Sequence, residues 1–410
     1  MSLSTAALRR YPRALTRDLP EVRERWIRRR IQVAYALLAF NTMTFFAGYS
    51  VVPIPGKVGK GLAQAALPIA LLILLSVNPK LKFRPNVYLC IVGLLVADAC
   101  VTAAVSHHLG GMFRTFRLAE FVAALWLLTP WWGRRDMLLF RCHLGFLYAT
   151  IGLVMLGLLV APGRAFSYDG RLTGVIWPML PTGVGQWTAV AASLTALLWL
   201  GRQISGRLAL TGIVFAGVPL FLSHSRTPLV AGAAGLVVAG LSLFMANARV
   251  RKFFAAVVVV ASIAVVTLAG VITTWLARGE GTQGLTTLTG RTNFWALVLS
   301  MPRTRFQEIF GFGLSNASIN GLPIDSNWLS SYMQEGLLGV GACALIVVYL
   351  LLACLFQPPG LRRALALFLV TFCLIASFTE DAFTNVSMYM LHLTVAASLL
   401  VTSGRQELRE

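Results

Sequence analysis

Long apolar stretches recur twelve times along the chain, at 31–52, 62–77, 87–106, 116–131, 137–161, 183–200, 208–222, 228–246, 253–275, 334–356, 362–379 and 385–402. A hydrocarbon core about 30 Å thick is crossed by roughly 20 helical residues. Inside it each segment must satisfy its own backbone N–H and C=O groups, which leaves the helix as the open option for such runs. The expected fold is therefore all-α: a polytopic membrane helix bundle of about 12 transmembrane helices. Charged residues make up 12% of the chain, about half the share in a soluble globule. No cleavable signal peptide is expected, because a polar, Arg-rich segment leads straight into the first apolar run.

The runs divide the 410 residues into a basic tail (1–30), helices one to nine (31–275), a long loop (276–333), helices ten to twelve (334–402) and a short tail (403–410). A net charge of +20 raises the question of nucleic acid, but the charge is distributed by side. Nine arginines precede the first run. With the alternate loops on the same side they bring 23 of the 35 Lys and Arg to one face, against 11 on the other. The positive-inside rule makes the 23-residue side cytoplasmic. Nucleic acid is not an expected partner; membrane lipid is. The expected location is a bacterial cytoplasmic (inner) membrane, with both termini cytoplasmic and the long loop facing the periplasm or exterior. The six cysteines lie in or beside apolar runs, without a CxxC or Cys/His cluster. No disulfide framework, metal site or cofactor is expected, and there is no Walker A loop, G-x-S-x-G elbow or dinucleotide fingerprint.

The unusual sequence lies in the outward connections. They are 163–174, followed by the Pro- and Gly-rich VIWPMLPTGVGQW; the turn Ser223-His224-Ser225-Arg226-Thr227-Pro228; the 276–333 loop; and 379–385. Irregular backbone at membrane depth is tolerated where protein covers it or a wet cavity receives it, so these connections should converge. Within the long loop, 292–301 has helical apolar spacing and reads as a short amphipathic helix, with turns at Gly311–Gly313 and at Asn320–Gly321.

Arg226 sits at the hydrocarbon edge, where a guanidinium is costly and usually faces a polar cavity. Its fork suits phosphate oxygens. The bland alternative is a snorkelling side chain beside a Pro-started helix. Arg291 and Arg171 are ordinary loop cations taken singly. Three arginines in three outward loops, on the side the rule depletes, point to a multiply anionic ligand. His224 accompanies Arg226. Asp325 reads either as a base or, with Ser326, as the N-cap of the helix starting near Asn327. Glu335 reads as a partner for an arginine, Glu380–Asp381 as a solvated loop, Asp98 as an intramembrane acid, and Arg117 with Glu120 as an i,i+3 pair.

In their order these motifs resemble the O-antigen ligase and polysaccharide polymerase superfamily of integral membrane glycosyltransferases. The resemblance rests on Gly170-Arg171-Leu172-Thr173-Gly174, Ser223-His224-Ser225-Arg226, Gly290-Arg291-Thr292-Asn293-Phe294-Trp295 with Gly311-Phe312-Gly313, and Asp325-Ser326-Asn327-Trp328-Leu329 with Glu335-Gly336-Leu337-Leu338-Gly339. It covers about 165–340. It implies an enzyme that takes a glycan from an undecaprenyl-diphosphate carrier on the outer face and joins it to a hydroxyl acceptor, a second lipid-linked glycan or a lipid. Metal is not required and the anomeric centre inverts. It further implies that Arg226 and Arg291 hold the diphosphate, with Arg171, His224 and Glu335 nearby and Asp325 as the catalytic base. An acid where ligases of the group carry a His-Asn pair is more similar to the polymerase branch, or to SEDS peptidoglycan polymerases. The expectation from a different class is a lipid-linked oligosaccharide flippase or transporter; a structural scaffold leaves the outward arginines without a task.

Overall fold

The computed structural model describes residues 14–167, 170–244, 250, 291–314, 318–319, 322–381 and 383–401. Among these, helix dominates and strand is confined to two-residue ladders, Phe166–Ser167 with Arg171–Leu172 and Ser318–Ile319 with Leu322–Pro323. The helices are α1 (Ala14–Asn41), α2 (Gly56–Val77), α3 (Val87–Ser106), α4 (Leu109–Leu128), α5 (Leu138–Val160), α6 (Pro181–Leu200), α7 (Gly206–Leu222) and α8 (Arg226–Phe244). They continue as α9 (Arg291–Ser300), α10 (Arg305–Phe310), α11 (Asn327–Phe356), α12 (Leu361–Ala376) and α13 (Met388–Leu400), with a single turn at Pro162–Ala165.

Sequence signals set many of the ends. The Asn86 side chain accepts from the Tyr88 N–H to cap α3, and Ser387 accepts from Met390 to cap α13. Thr304 and Gln307 form a reciprocal capping box at α10, which satisfies two otherwise orphaned donors. Pro181 begins α6, where its missing N–H costs nothing. The expectation for the first run needs correcting. The helix starts at Ala14 and stops at Asn41, and 42–55 is irregular apart from one 3-10 turn at Ala47–Tyr49. Pro53 and Pro55 fix extended backbone there and withdraw two donors. The 253–275 run, residues 1–13 and the 402–410 end lie outside the described residues.

Six of the helices, α2, α3, α5, α6, α8 and α11, are long and apolar enough to cross a membrane. Their outer faces carry Leu62, Leu72, Leu94, Leu159, Leu241 and Leu345, each at least half exposed. A soluble protein rarely shows so much contiguous apolar surface, whereas lipid covers it at no cost. The enclosed centre is built by α6, α12 and α13, whose residues are nearly all buried. There α12 packs on α8 and α13, and α6 on α7 and α8.

A buried polar chain threads this centre. The Tyr35 hydroxyl meets His143 Nδ1 at 2.8 Å, His143 Nε2 meets His392 Nδ1 at 2.8 Å, and Gln186 Nε2 lies 3.3 Å from His392 Nε2. It ties α1, α5, α13 and α6 together. Directional bonds of this kind specify one packing where apolar contacts alone leave alternatives.

Candidate functional site

The turn between α7 and α8 is the best-formed polar corner. His224 reverses the chain with φ 47°, a left-handed conformation uncommon outside glycine, and its ring lies against Phe221. Ser223 and Ser225 point inward and are buried. Ser225 Oγ donates to the Pro181 carbonyl at 2.9 Å. Arg171 reaches in from the 163–174 connection; its Nε donates to the Ser223 carbonyl at 3.1 Å and its Nη2 to Ser225 Oγ at 3.4 Å. Gly185 of α6 makes room, since a Cβ there would sit 2.5 Å from Ser225 Cβ and 3.0 Å from Ser223 Oγ.

Arg226 opens α8 immediately after this corner. Its Nε and Nη2 are shut off from solvent, and neither has a hydrogen-bond partner among the described residues. Each enclosed, unbonded guanidinium nitrogen forfeits about 1–3 kcal/mol of hydration, which an anionic ligand would restore. Arg171 thus ends on the turn that immediately precedes Arg226.

The same end of the bundle receives the 377–385 segment. Thr227 Oγ1 bonds Thr379 Oγ1 at 2.7 Å, the Asn327 N–H donates to the Ser377 carbonyl, and the Phe383 N–H donates to Asn327 Oδ1 at 2.6 Å. Glu380–Asp381 is therefore not a simple solvated loop. Phe383 is buried, Asp381 Oδ1 is enclosed without a hydrogen-bond partner among the described residues, and Oδ2 accepts from Asn385 at 3.1 Å. Burial raises the Asp381 carboxyl to about 6, against hydrogen bonds from Asn385 and Ser330 that lower it; Asp325 lies close enough to push in the upward direction. The helix-cap reading of Asp325 gives way to Ser326 as the N-cap residue of α11, and the Ser326 side chain makes no capping bond. Asp325 instead sits in a tight turn closed by the Ser326 N–H on the Ile324 carbonyl, near Asp381.

Helix α11 is broken at Gly336, whose φ of 64° is left-handed. The break frees carbonyls one turn earlier. The Phe312 and Gly313 N–H groups take those of Met333 and Gln334, at 2.9 and 2.8 Å. Backbone meets backbone here, and a Cβ on Gly311 or Gly336 would collide with the facing main chain. The Gly311–Gly313 turn is thereby sewn to the kink. Arg303 adds to the seam, donating to the Tyr332 and Val298 carbonyls with its guanidinium over the Tyr332 ring. Helix α9 seats Val298 against Met333 and Ile324. Arg291 begins α9; its side chain lies outside the described residues.

Two expectations are overturned by these placements. Glu335 is fully buried at the kink and both its oxygens lack a partner among the described residues, so it pairs with no arginine among them. Its charged neighbours are Asp98 of α3 and Asp381, and the Asp98 oxygens are likewise buried and unbonded. Arg117 does not pair with Glu120 either. It turns to Asn41 at the end of α1, giving Nη2 to the backbone carbonyl at 2.8 Å and Nε to Oδ1 at 3.2 Å.

No His, Cys, Asp or Glu group able to hold a metal is present among the described residues. No family model matches the chain, and no curated protein sequence matches it.

Proposed function

We propose that the protein is a membrane glycosyltransferase of about twelve spans, with both termini cytoplasmic. In this reading it transfers a glycan from an undecaprenyl-diphosphate carrier to a hydroxyl acceptor on the outer face of the cytoplasmic membrane and so polymerises or ligates a cell-envelope polysaccharide. The polymerase branch is favoured. The observation that carries this reading is the Arg226 guanidinium, buried and unbonded at Nε and Nη2, beside an Arg171 that Ser223 and Ser225 hold in place.

Two guanidinium groups, Arg171 anchored and Arg226 with unspent donors, suit a diphosphate leaving group, because they supply positive charge where negative charge grows as the sugar departs. Arg291 is assigned to the same diphosphate through its motif, and His224 to the wall of the site. The acceptor oxygen attacks the anomeric carbon from the face opposite the carrier. The bond from that carbon to the diphosphate oxygen breaks, the electron pair leaves with the diphosphate, and the hydroxyl proton passes to a carboxylate. Asp325 is that base; Asp381 beside it, with its carboxyl near 6, is the neighbour that tunes it or shares the proton.

The transporter reading retains one observation. Asp98 and Glu335 are buried carboxylates without partners, and Glu335 stands at a helix break, a combination that transporters place at their coupling sites. One experiment separates the two readings. Purified protein in detergent, with no compartment to transport across, is given a lipid-linked glycan. Elongation or transfer that Arg226→Gln and Arg171→Gln each reduce at least tenfold supports the enzyme. No turnover by folded wild type, together with glycan movement across vesicles, overturns it.

A further inference from the structure

A second cluster of cations, sharing no residue with the Arg171–Arg226 corner, lies where α1 ends, α2 begins and α4 begins. These elements, with Asn385, enclose a half-open cavity of about 420 Å³ lined by Lys60, Arg114, Arg117, Asn41, Gln64 and Phe113 among others. A volume of this size accommodates a small polar ligand or a headgroup.

Three cations line it and no acid does. None of them has a carboxylate within 4 Å among the described residues. By contrast, Arg28 and Arg134 at the other end of the bundle pair with Asp136 and Glu24 at 2.7–3.3 Å. Arg114 gives Nη1 to the Leu314 carbonyl, and Arg117 is held by Asn41. Both guanidinium groups are thus fixed by neutral acceptors, and the carboxylate that feels Arg114, Asp381, is outside the cavity lining. Arg114 and Arg117 are one turn apart on the same face of α4, so they repel each other unless an anion lies between them.

The surroundings of the cavity say what kind of anion. Leu62 of α2 and Met112, Phe113 and Phe116 of α4 are about half exposed or more. Phe113 belongs both to this apolar surface and to the cavity wall. A ligand here meets three positive charges at its head and an apolar protein face along its flank. That is the chemistry of an amphiphile with a phosphate head.

We propose that this cavity is a binding site for a phosphate-bearing lipid headgroup, held by Lys60, Arg114 and Arg117. The site is distinct from the carrier corner and stands whether or not the transfer reading is correct. If transfer is correct, the protein holds two lipid phosphates at one face of the bundle, as an enzyme joining two lipid-linked glycans requires.

The test is equilibrium binding to the purified full chain of three probes: a short-chain polyprenyl diphosphate, phosphatidylglycerol in nanodiscs against phosphatidylcholine, and inorganic diphosphate. Lys60 is exposed, so Lys60→Glu leaves the fold intact, while Lys60→Arg keeps the charge; Arg114→Gln is the second variant. Lys60→Glu should weaken binding of one of the two lipids at least tenfold, Lys60→Arg should restore it, and Arg114→Gln should weaken the same component. The lipid that responds identifies the source. The proposal is overturned if neither lipid responds to Lys60→Glu, or if inorganic diphosphate binds as tightly as the lipids and responds alone. Loss on Arg226→Gln but not on Lys60→Glu assigns all lipid-phosphate binding to the carrier corner and overturns it too.

Discussion

Replacing Gly185 with Ala tests the carrier corner without touching a charged residue. The new Cβ would lie 2.5 Å from Ser225 Cβ and 2.8 Å from Ser225 Oγ, where a carbon pair rests at about 3.5–4.0 Å. The Ser223–Arg226 turn must therefore retreat by about 1 Å. Overpacking of this kind costs about 1–3 kcal/mol of stability. The same retreat lengthens the Arg171 bonds at 3.1 and 3.4 Å past hydrogen-bonding range, and frees the Arg171 guanidinium from its anchor. One charge-assisted bond is worth about 1.5–3 kcal/mol, so diphosphate binding should weaken about tenfold to a hundredfold. Gly183, on the same turn of α6, has nothing within 4 Å of an added Cβ, which makes Gly183→Ala the matched control. Thermal unfolding in detergent and titration with a polyprenyl diphosphate read the two effects. Gly185→Ala should lose in both assays and Gly183→Ala in neither. Wild-type diphosphate affinity in a Gly185→Ala protein whose melting temperature has fallen would show that the turn moves without consequence for the ligand, and the assignment of the corner would fail.

Other expectations follow from the same geometry. Gly336→Ala places a side chain at φ 64° against the Ile309 carbonyl; left-handed strain of about 1–2 kcal/mol plus the collision should lower the melting temperature more than Gly341→Ala, where space is open. Asp381 carries opposite signatures in stability and activity. Its carboxyl is raised in the fold to about 6, so the folded protein holds the proton more tightly than the unfolded chain. That contribution is complete below the ordinary aspartate range of about 4 and is lost as pH rises through 6. Asp381→Asn should flatten the pH dependence of the melting temperature between 4 and 7; an unchanged profile contradicts it. Protonation of Asp381 removes the carboxylate that shares the proton with Asp325, so transfer should fall as pH drops through 6, and Asp325→Asn should lower it about a hundredfold or more while the protein stays folded by circular dichroism. Asn41→Leu removes the Oδ1 acceptor of Arg117 Nε and Nη2 and should destabilise the protein by about 1–3 kcal/mol, whereas Glu120→Gln should do little.

The helices were legible because apolar length is a blunt signal. Ten of the predicted runs overlie helices and 31–52 does so only as far as Asn41, six of these helices being long and apolar enough to cross a membrane; the 253–275 run falls outside the described residues. What hydropathy does not resolve is where a helix yields to irregular chain at similar polarity. The end of α1 at Asn41 and the break at Gly336 are decided by prolines and by a loop supplying replacement hydrogen bonds. Within the site, the Ser-His-Ser-Arg turn was readable because a charge at the hydrocarbon edge stands out. Asp381 was not: a TED triplet looks solvated until Phe383 and Asn327 draw it inward. The Arg117–Asn41 pairing spans 76 positions, and spacing along one helix carries no information about it. Nor did any local signal bring Lys60 to Arg114, since they share a cavity only after α2 and α4 pack.

The central claim is that the Arg171–Arg226 corner holds a carrier diphosphate. Its most direct measurement is the affinity of purified wild type and Arg226→Gln for a short-chain polyprenyl diphosphate, its monophosphate and its alcohol. Wild type should prefer them in that order, and Arg226→Gln should abolish the advantage of diphosphate over monophosphate with little change for the alcohol. A diphosphate preference that survives in folded Arg226→Gln would contradict the claim.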